Sequence, residues 1–216
     1  MLACYHEAIT RQALADTFSS AALQSIVNAN LRQDDLKGQI GHDEYHFDNN
    51  AFERARTYLE VQRALVWEAL SAGEAPAAWA AFGRLIHTAQ DFYAHSNYVD
   101  LWLERWEGQT QPSPGDIEPL IAELLTSPDL RSGKLYYPFE ILSFVPWLKR
   151  FVLPFLPRDS HAWMNLDAPA QGRTFAYAYE AASGRTRYEC KRTVDGLTPT
   201  QAALFYGRNL LSYQSG

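Results

Sequence analysis

Cysteine is scarce. The two thiols in 216 residues, Cys4 and Cys190, cannot build a disulfide framework. No apolar run reaches the roughly 18 residues that a bilayer-spanning helix needs free of charge and proline. An apolar leader is also missing. The first turns carry Glu7, Arg11 and Asp16, which predicts a chain that is cytoplasmic or exported without a cleaved signal. Basic charge is in deficit, with 19 Lys+Arg against 25 Asp+Glu and a formal net charge of −6. That balance argues against a general nucleic-acid partner, which must neutralise phosphates. Low-complexity tracts are absent and 47% of residues are hydrophobic, so the chain has the makings of one folded domain spanning 1–216.

The patterning that is present is helical nearly throughout. Two short helices are expected between about His6 and Leu36, broken near Phe18-Ser19-Ser20. Residues 37–50 read as a loop. A long amphipathic helix follows over about 51–72, with Leu59, Arg63, Val66, Trp67 and Leu70 at 3–4 spacing, and Gly73 ends it. A fourth helix is expected from near Pro76 to about Trp106, and a short one over 116–126. Residues 127–158 form an irregular, proline-punctuated insertion. Helices over about 168–190 and from Thr198 complete an all-α single-domain bundle.

Only six histidines occur, and they are concentrated near acids. His87, Asp91 and His95 stand at i, i+4 and i+8 within Ile86-His87-Thr88-Ala89-Gln90-Asp91-Phe92-Tyr93-Ala94-His95-Ser96-Asn97. On a helix they share one face. Apolar and aromatic neighbours imply burial on several sides, where two imidazoles and a carboxylate are costly unless paired. A divalent metal would satisfy them with nitrogen and oxygen ligands. A hydrogen-bonded His87–Asp91 core pair is the blander alternative. His6, His42, His46 and His161 lie in three further segments, and helical metal sites are commonly assembled from several such segments.

The ordered set HEAITRQAL, HFDN, LIHTAQDFYAHSNYVDL and SHAWMNLD resembles the HET-C (heterokaryon incompatibility) family over roughly residues 3–190. That family is distantly similar to the zinc-dependent phospholipases C and the single-strand zinc nucleases, all-helical enzymes with a zinc cluster. The resemblance implies zinc, up to three ions. His46, His87 and Asp91 would hold one ion, with Asp91 bridging to a second held by His6. His95 and His161 would hold a third, completed by Asp167 or Asn165. Asp34 would be catalytic, next to a metal-bound water. His42 is left without a role, or replaces His46 if the loop register differs. The implied function is a metal-dependent phosphodiester hydrolase, foremost a phospholipase C releasing diacylglycerol and a phosphorylated headgroup. Tyr45, Tyr93 or Tyr98 would border the headgroup. The alternatives are a non-catalytic HET-C module acting at membranes in self/non-self recognition and cell death, and a single-strand nuclease.

The segment Pro138–Pro157 is unusually apolar for an irregular one. Phe144, Trp147, Leu148, Phe151 and Phe155 beside Lys149-Arg150 are the mixture expected at a phospholipid or membrane surface. Burial in the core, a partner protein or self-association are the other uses of such residues.

Overall fold

The computed structural model describes residues 1–35, 38, 41–143 and 145–208. The expectation of an all-α single domain holds. Among the described residues twelve α-helices and several 3-10 turns follow one another, and the only β contacts are two isolated bridges, Ser96 to Ser132 and Lys134 to Ser160.

The centre is α5 (Ala75–His95), which is buried almost completely from Ala81 onward. Pro76 in its first turn costs nothing there, since that N–H would lack a helical partner anyway. Around it pack α2 (Ser20–Leu31), α4 (Phe52–Ser71) and α11 (Arg173–Val194), while α1 (Ala3–Leu14) lies in the angle between α2 and α11. Ser19 caps α2 by accepting from Ala22 N–H. Gly83 lets α5 approach α2 closely; a β-carbon there would lie 2.5 Å from the Ile26 carbonyl oxygen and 2.6 Å from Ala29 Cβ. The α4–α11 contact holds a buried ion pair, Arg63 with Glu189, and Arg185 reaches the same carboxylate at 2.7 Å. The last helix, α12 (Pro199–Phe205), opens with the expected capping box at Thr198 and Gln201. Trp79 fixes it by donating from Nε1 to the Phe205 carbonyl.

Several boundaries differ from expectation. The fourth helix stops at His95 instead of continuing to Trp106, and α6 (Tyr98–Glu104) starts anew. Ser96 is extended, with φ −109° and ψ 165°, and the Asn97 side chain bonds to the Asp129 carbonyl and the Arg131 N–H. These side-chain bonds offer the backbone an alternative to the helical ladder. The region 37–50 contains α3 (Asp43–His46) and a 3-10 turn over Asp48–Asn50. Residues 116–126 hold only a 3-10 turn at Pro114–Asp116 and α7 (Ala122–Leu125). The apolar insertion folds into α8 (Phe139–Ser143), α9 (Pro146–Val152) and a 3-10 turn over Leu153–Phe155. The connector after it forms α10 (His161–Met164).

Among the described residues, no helix is long and apolar enough to cross a membrane.

Candidate metal centre

The C-terminal half of α5 carries His87, Asp91 and His95 into the middle of a buried cluster. His6 reaches it from α1, Asp34 from the 3-10 turn Arg32–Asp34 that follows α2, His46 and Asp48 from the α3 turn, and His161 from α10. Asp91 is the hub. Its Oδ2 lies 2.8 Å from His46 Nδ1 and 3.0 Å from His87 Nε2. Its Oδ1 lies 3.1 Å from His6 Nε2, 3.6 Å from His95 Nε2 and 3.1 Å from the Met1 nitrogen.

Two ligand sets result. Asp34, His46, His87 and Asp91 bring donor atoms within 4.8 Å of one another, and so do Asp48, His95 and His161. His6 adjoins the first set through Asp91. The α3 turn serves both sets because Phe47 is left-handed, with φ 59° and ψ 19°, which sends His46 and Asp48 to different ends of the cluster. Phe47 is itself held by ring contacts with Phe52 and Phe92. Gly133 closes the other side. A β-carbon there would stand 2.6 Å from His161 Cα, so only glycine permits this approach.

The surrounding hydrogen bonds determine which imidazole nitrogens face inward. Thr186 commits its hydroxyl proton to the Ala182 carbonyl and therefore accepts from Gln90 Nε2 at 3.0 Å. Gln90 must then present Oε1 to His6, which donates from Nδ1 at 2.7 Å. His6 Nε2 is left buried, without a hydrogen-bond partner and facing Asp91. In the same way Asn30 donates from Nδ2 to Gln90 and Thr10, so its Oδ1 accepts from His87 Nδ1 at 3.3 Å. His46 Nε2 faces the Gly38 carbonyl at 3.3 Å, and His95 Nδ1 faces the His46 carbonyl at 2.9 Å. His87 Nε2 and His6 Nε2 are thereby turned toward Asp91, while His95 Nε2 meets the Met1 ammonium at 3.2 Å and His46 Nδ1 bonds Asp91 at 2.8 Å. Lone pairs converging on a carboxylate repel unless a proton or a cation sits among them. Histidines that bind metals are oriented by the same device, a donor bond from the outer nitrogen to a carbonyl or amide.

The electrostatics divide the rings into two groups. Burial disfavours protonation of His87 and pushes its pKa down to about 4 despite Asp91 and Asp34. His95 is also lowered, chiefly by burial. At His46 and His161 burial pulls the same way but is outweighed, by Asp91 and by Asp48 respectively, and both are raised. Burial would raise Asp91, yet His95, the Met1 amine, His87 and His6 hold it well below the carboxylate range. Asp48 is lowered against its own burial by His161 and His95.

Most residues singled out in the sequence are brought together here: His6, Asp34, His46, His87, Asp91, His95 and His161. Asp167 lies near His95 and His161, which both help to lower its pKa, but the carboxylate in direct reach of the two rings is Asp48, at 3.3 and 2.8 Å. Asp167 itself lies 3.2 Å from Lys149 Nζ and 3.7 Å from the Met1 nitrogen. Sequence reasoning missed Asp48, although the Asp-Asn-Asn run after His46-Phe47 is a signal for a tight, left-handed turn. Asn165 is also close, with Nδ2 3.0 Å from His161 Nε2. His42 stands apart, stacked on Tyr45 and paired with Glu44 at the surface. Tyr93 and Tyr98 are core residues donating to the Pro119 and Glu118 carbonyls, so neither lines an opening.

Fold and site together define an all-helical domain with a buried His/Asp cluster of metal-ligand type. A family model described as the VWA7 N-terminal domain matches residues 1–120, and the chain belongs to that family. Relatives are the von Willebrand factor A domain-containing protein 7 of Rattus norvegicus, 36% identical over 94 residues, and those of Mus musculus at 35% and Homo sapiens at 33% over the same length. Each match covers 44% of this chain and 10% of the relative, so the chain spans about a tenth of the length of the curated relatives it matches. No solved structure matches.

This membership corrects the resemblance drawn from the motifs. Neither a HET-C nor a phospholipase C family matches, and the phospholipase C, HET-C module and nuclease functions implied by that resemblance fall with it. Histidines and aspartates at helical spacing are a solution to cation binding that unrelated helical proteins share, which is why the motif pointed to the wrong family. The matched residues 1–120 include His6, Asp34, His46, Asp48, His87, Asp91 and His95, while His161 lies beyond them.

Proposed function

We propose that this domain binds zinc in the Asp91-centred cluster. The observation that carries the reading is the convergence of His6 Nε2, His46 Nδ1 and His87 Nε2 on Asp91, with the His6 and His87 rings oriented by outer hydrogen bonds to Gln90 and Asn30. The donor set is nitrogen with carboxylate oxygen, which suits zinc. Asp34, His46, His87 and Asp91 would hold one ion, and Asp48, His95 and His161 another. His6, 3.1 Å from Asp91 Oδ1, would be the remaining ligand if a third ion bound, in place of the Met1 ammonium that now pairs with that oxygen.

When bound, zinc acts as a Lewis acid and lowers the pKa of an attached water toward about 7. The protein's own part would be to set a carboxylate beside that water. Asp34 is the carboxylate for this, because its side chain keeps 23% exposure while Asp91 is fully buried. Burial raises the Asp34 pKa, but His87, His6 and the Met1 amine together outweigh it and hold it below the usual carboxylate value, so Asp34 stays ionised and would accept a hydrogen bond from that water.

Metal content of the purified protein tests the reading. At least two equivalents of zinc are expected for the wild type, and Asp91→Asn should lose more than one of them. Wild-type protein that retains less than one equivalent when prepared without chelator, and takes up none on titration, refutes it.

A further inference from the structure

Of eleven large hydrophobic side chains exposed among the described residues, six lie within residues 137–155: Tyr137, Phe139, Leu142, Trp147, Phe151 and Phe155. The other five are Leu2, just before α1, and residues of α4 and α11. Single exposed apolar residues need no explanation, but a cluster does. The cluster has a regular origin. Val152 and Leu156 turn inward and form a small core of their own with Ala162, packed by Tyr136, Leu153 and Trp163. One position earlier, Trp147, Phe151 and Phe155 stand at i, i+4 and i+8 and are 65%, 56% and 84% exposed. The segment is therefore apolar on the face that packs and again on the adjacent face that does not. Of the two remaining residues expected to touch lipid, Leu148 is half-buried and Phe144 lies outside the described residues.

Its charge departs from that of the whole chain. Residues 137–158 contain Lys149, Arg150 and Arg158 against one acid, Glu140, within a protein of net charge −6. Glu140 is fully buried and accepts from the Ala162 N–H, so it presents no charge to the outside. The neighbouring Asp159 is occupied by Lys134 and Tyr136. Arg150 and Arg158 instead lie over the rings of Phe151 and Trp163. Aromatic side chains with guanidinium groups among them, on short helices lying along a surface, match the chemistry of a bilayer interface carrying anionic headgroups. Tryptophan is enriched at that depth.

We infer that the outer face of residues 137–158 docks on an anionic lipid bilayer as a peripheral surface, with Trp147, Phe151 and Phe155 inserted and Arg150 and Arg158 at headgroup phosphates. The inference is independent of the zinc reading, since none of these side chains belongs to the cluster.

The test is cosedimentation of the full chain with vesicles of phosphatidylcholine alone or with 30% phosphatidylserine, at two salt concentrations. Binding is expected to the anionic vesicles and to weaken with salt. The triple variant Trp147→Ser/Phe151→Ser/Phe155→Ser should bind at least tenfold more weakly with an essentially unchanged thermal midpoint, because all three side chains are exposed and surface substitutions cost little stability. Val61→Ser/Leu65→Ser, a control on the exposed face of α4, should bind as the wild type does. Absent binding to anionic vesicles, or equal loss in the triple variant and the control, overturns the inference. So does a concentration-dependent dimer that the triple substitution abolishes in protein that ignores lipid; that result would assign the face to a second copy of the chain.

Discussion

Gln90 is the residue through which the fold dictates the state of His6, and replacing it by methionine isolates that action. Methionine is close in size and fills the same space without hydrogen bonds. Four bonds disappear, but three of the stranded partners keep another. Thr10 still accepts from Asn30, Asn30 still donates to Thr10, and Thr186 still donates to Ala182. Only His6 Nδ1 loses its sole partner. The stability cost in zinc-free protein should therefore be that of one buried unpaired group, about 1–3 kcal/mol. The cost to zinc binding is expected at about 10–100-fold, the usual effect of removing a group that orients a ligand. Competition titration against a chromophoric chelator would measure it for the wild type, Gln90→Met, His6→Ala and the double variant. If Gln90 acts through His6, the double variant should bind zinc no more weakly than His6→Ala alone. Fully additive losses, or wild-type affinity in Gln90→Met, would refute the assignment of Gln90 as the orienting residue.

Zinc affinity should rise with pH above about 6.5, the ordinary value for histidine. The carboxylates raise His46 and His161, so these rings retain protons that zinc must displace, whereas His87 and His95 are lowered and are already neutral there. Calorimetric titration in buffers of different ionisation enthalpy should register proton release that declines as pH increases; a constant release from pH 6.5 to 8.5 contradicts the assignment. Glu189→Gln should destabilise the fold by about 3–5 kcal/mol, seen as a lowered denaturant midpoint, because it leaves Arg63 and Arg185 buried with reduced compensation. Gly83→Ala should cost about 1–3 kcal/mol by forcing α5 away from the Ile26 carbonyl. A midpoint equal to wild type would show that the two helices can separate without penalty.

The cluster on α5 was legible because helical periodicity converts spacing into direction. His87, Asp91 and His95 share a face on any α-helix, and their apolar neighbours announced burial. Helix ends set by tertiary bonds were less legible. Nothing local forces the chain to leave the helix at Ser96; the bonds of Asn97 to residues 129 and 131 do. Asp48 was missed for a related reason. Its direction depends on the left-handed backbone of Phe47, an uncommon conformation for that residue, stabilised by rings elsewhere in the chain. The expectation of Asp167 rests on the motif resemblance alone; α10 ends at Met164, and the extended chain beyond brings Asp167 to Lys149 as well as near His95 and His161. The family was not legible in these residues at all, since ligand types report the chemistry of a site and not its ancestry.

The glycine contact between residue 133 and His161 has a mechanical consequence. His6 and His161 enclose most of the chain between them, and the second ligand set joins the α3 turn to α10 across the end of α5. Ions held there would act as cross-links closing very long loops, which removes more entropy from the unfolded chain than a local clasp does. Gly133 sits where the last strap of that closure must lie flat against its partner. A side chain there would hold α10 off the bundle and leave the ligands from the first half of the chain without those from the second. The domain would then be fastened at one end and hinged at the other.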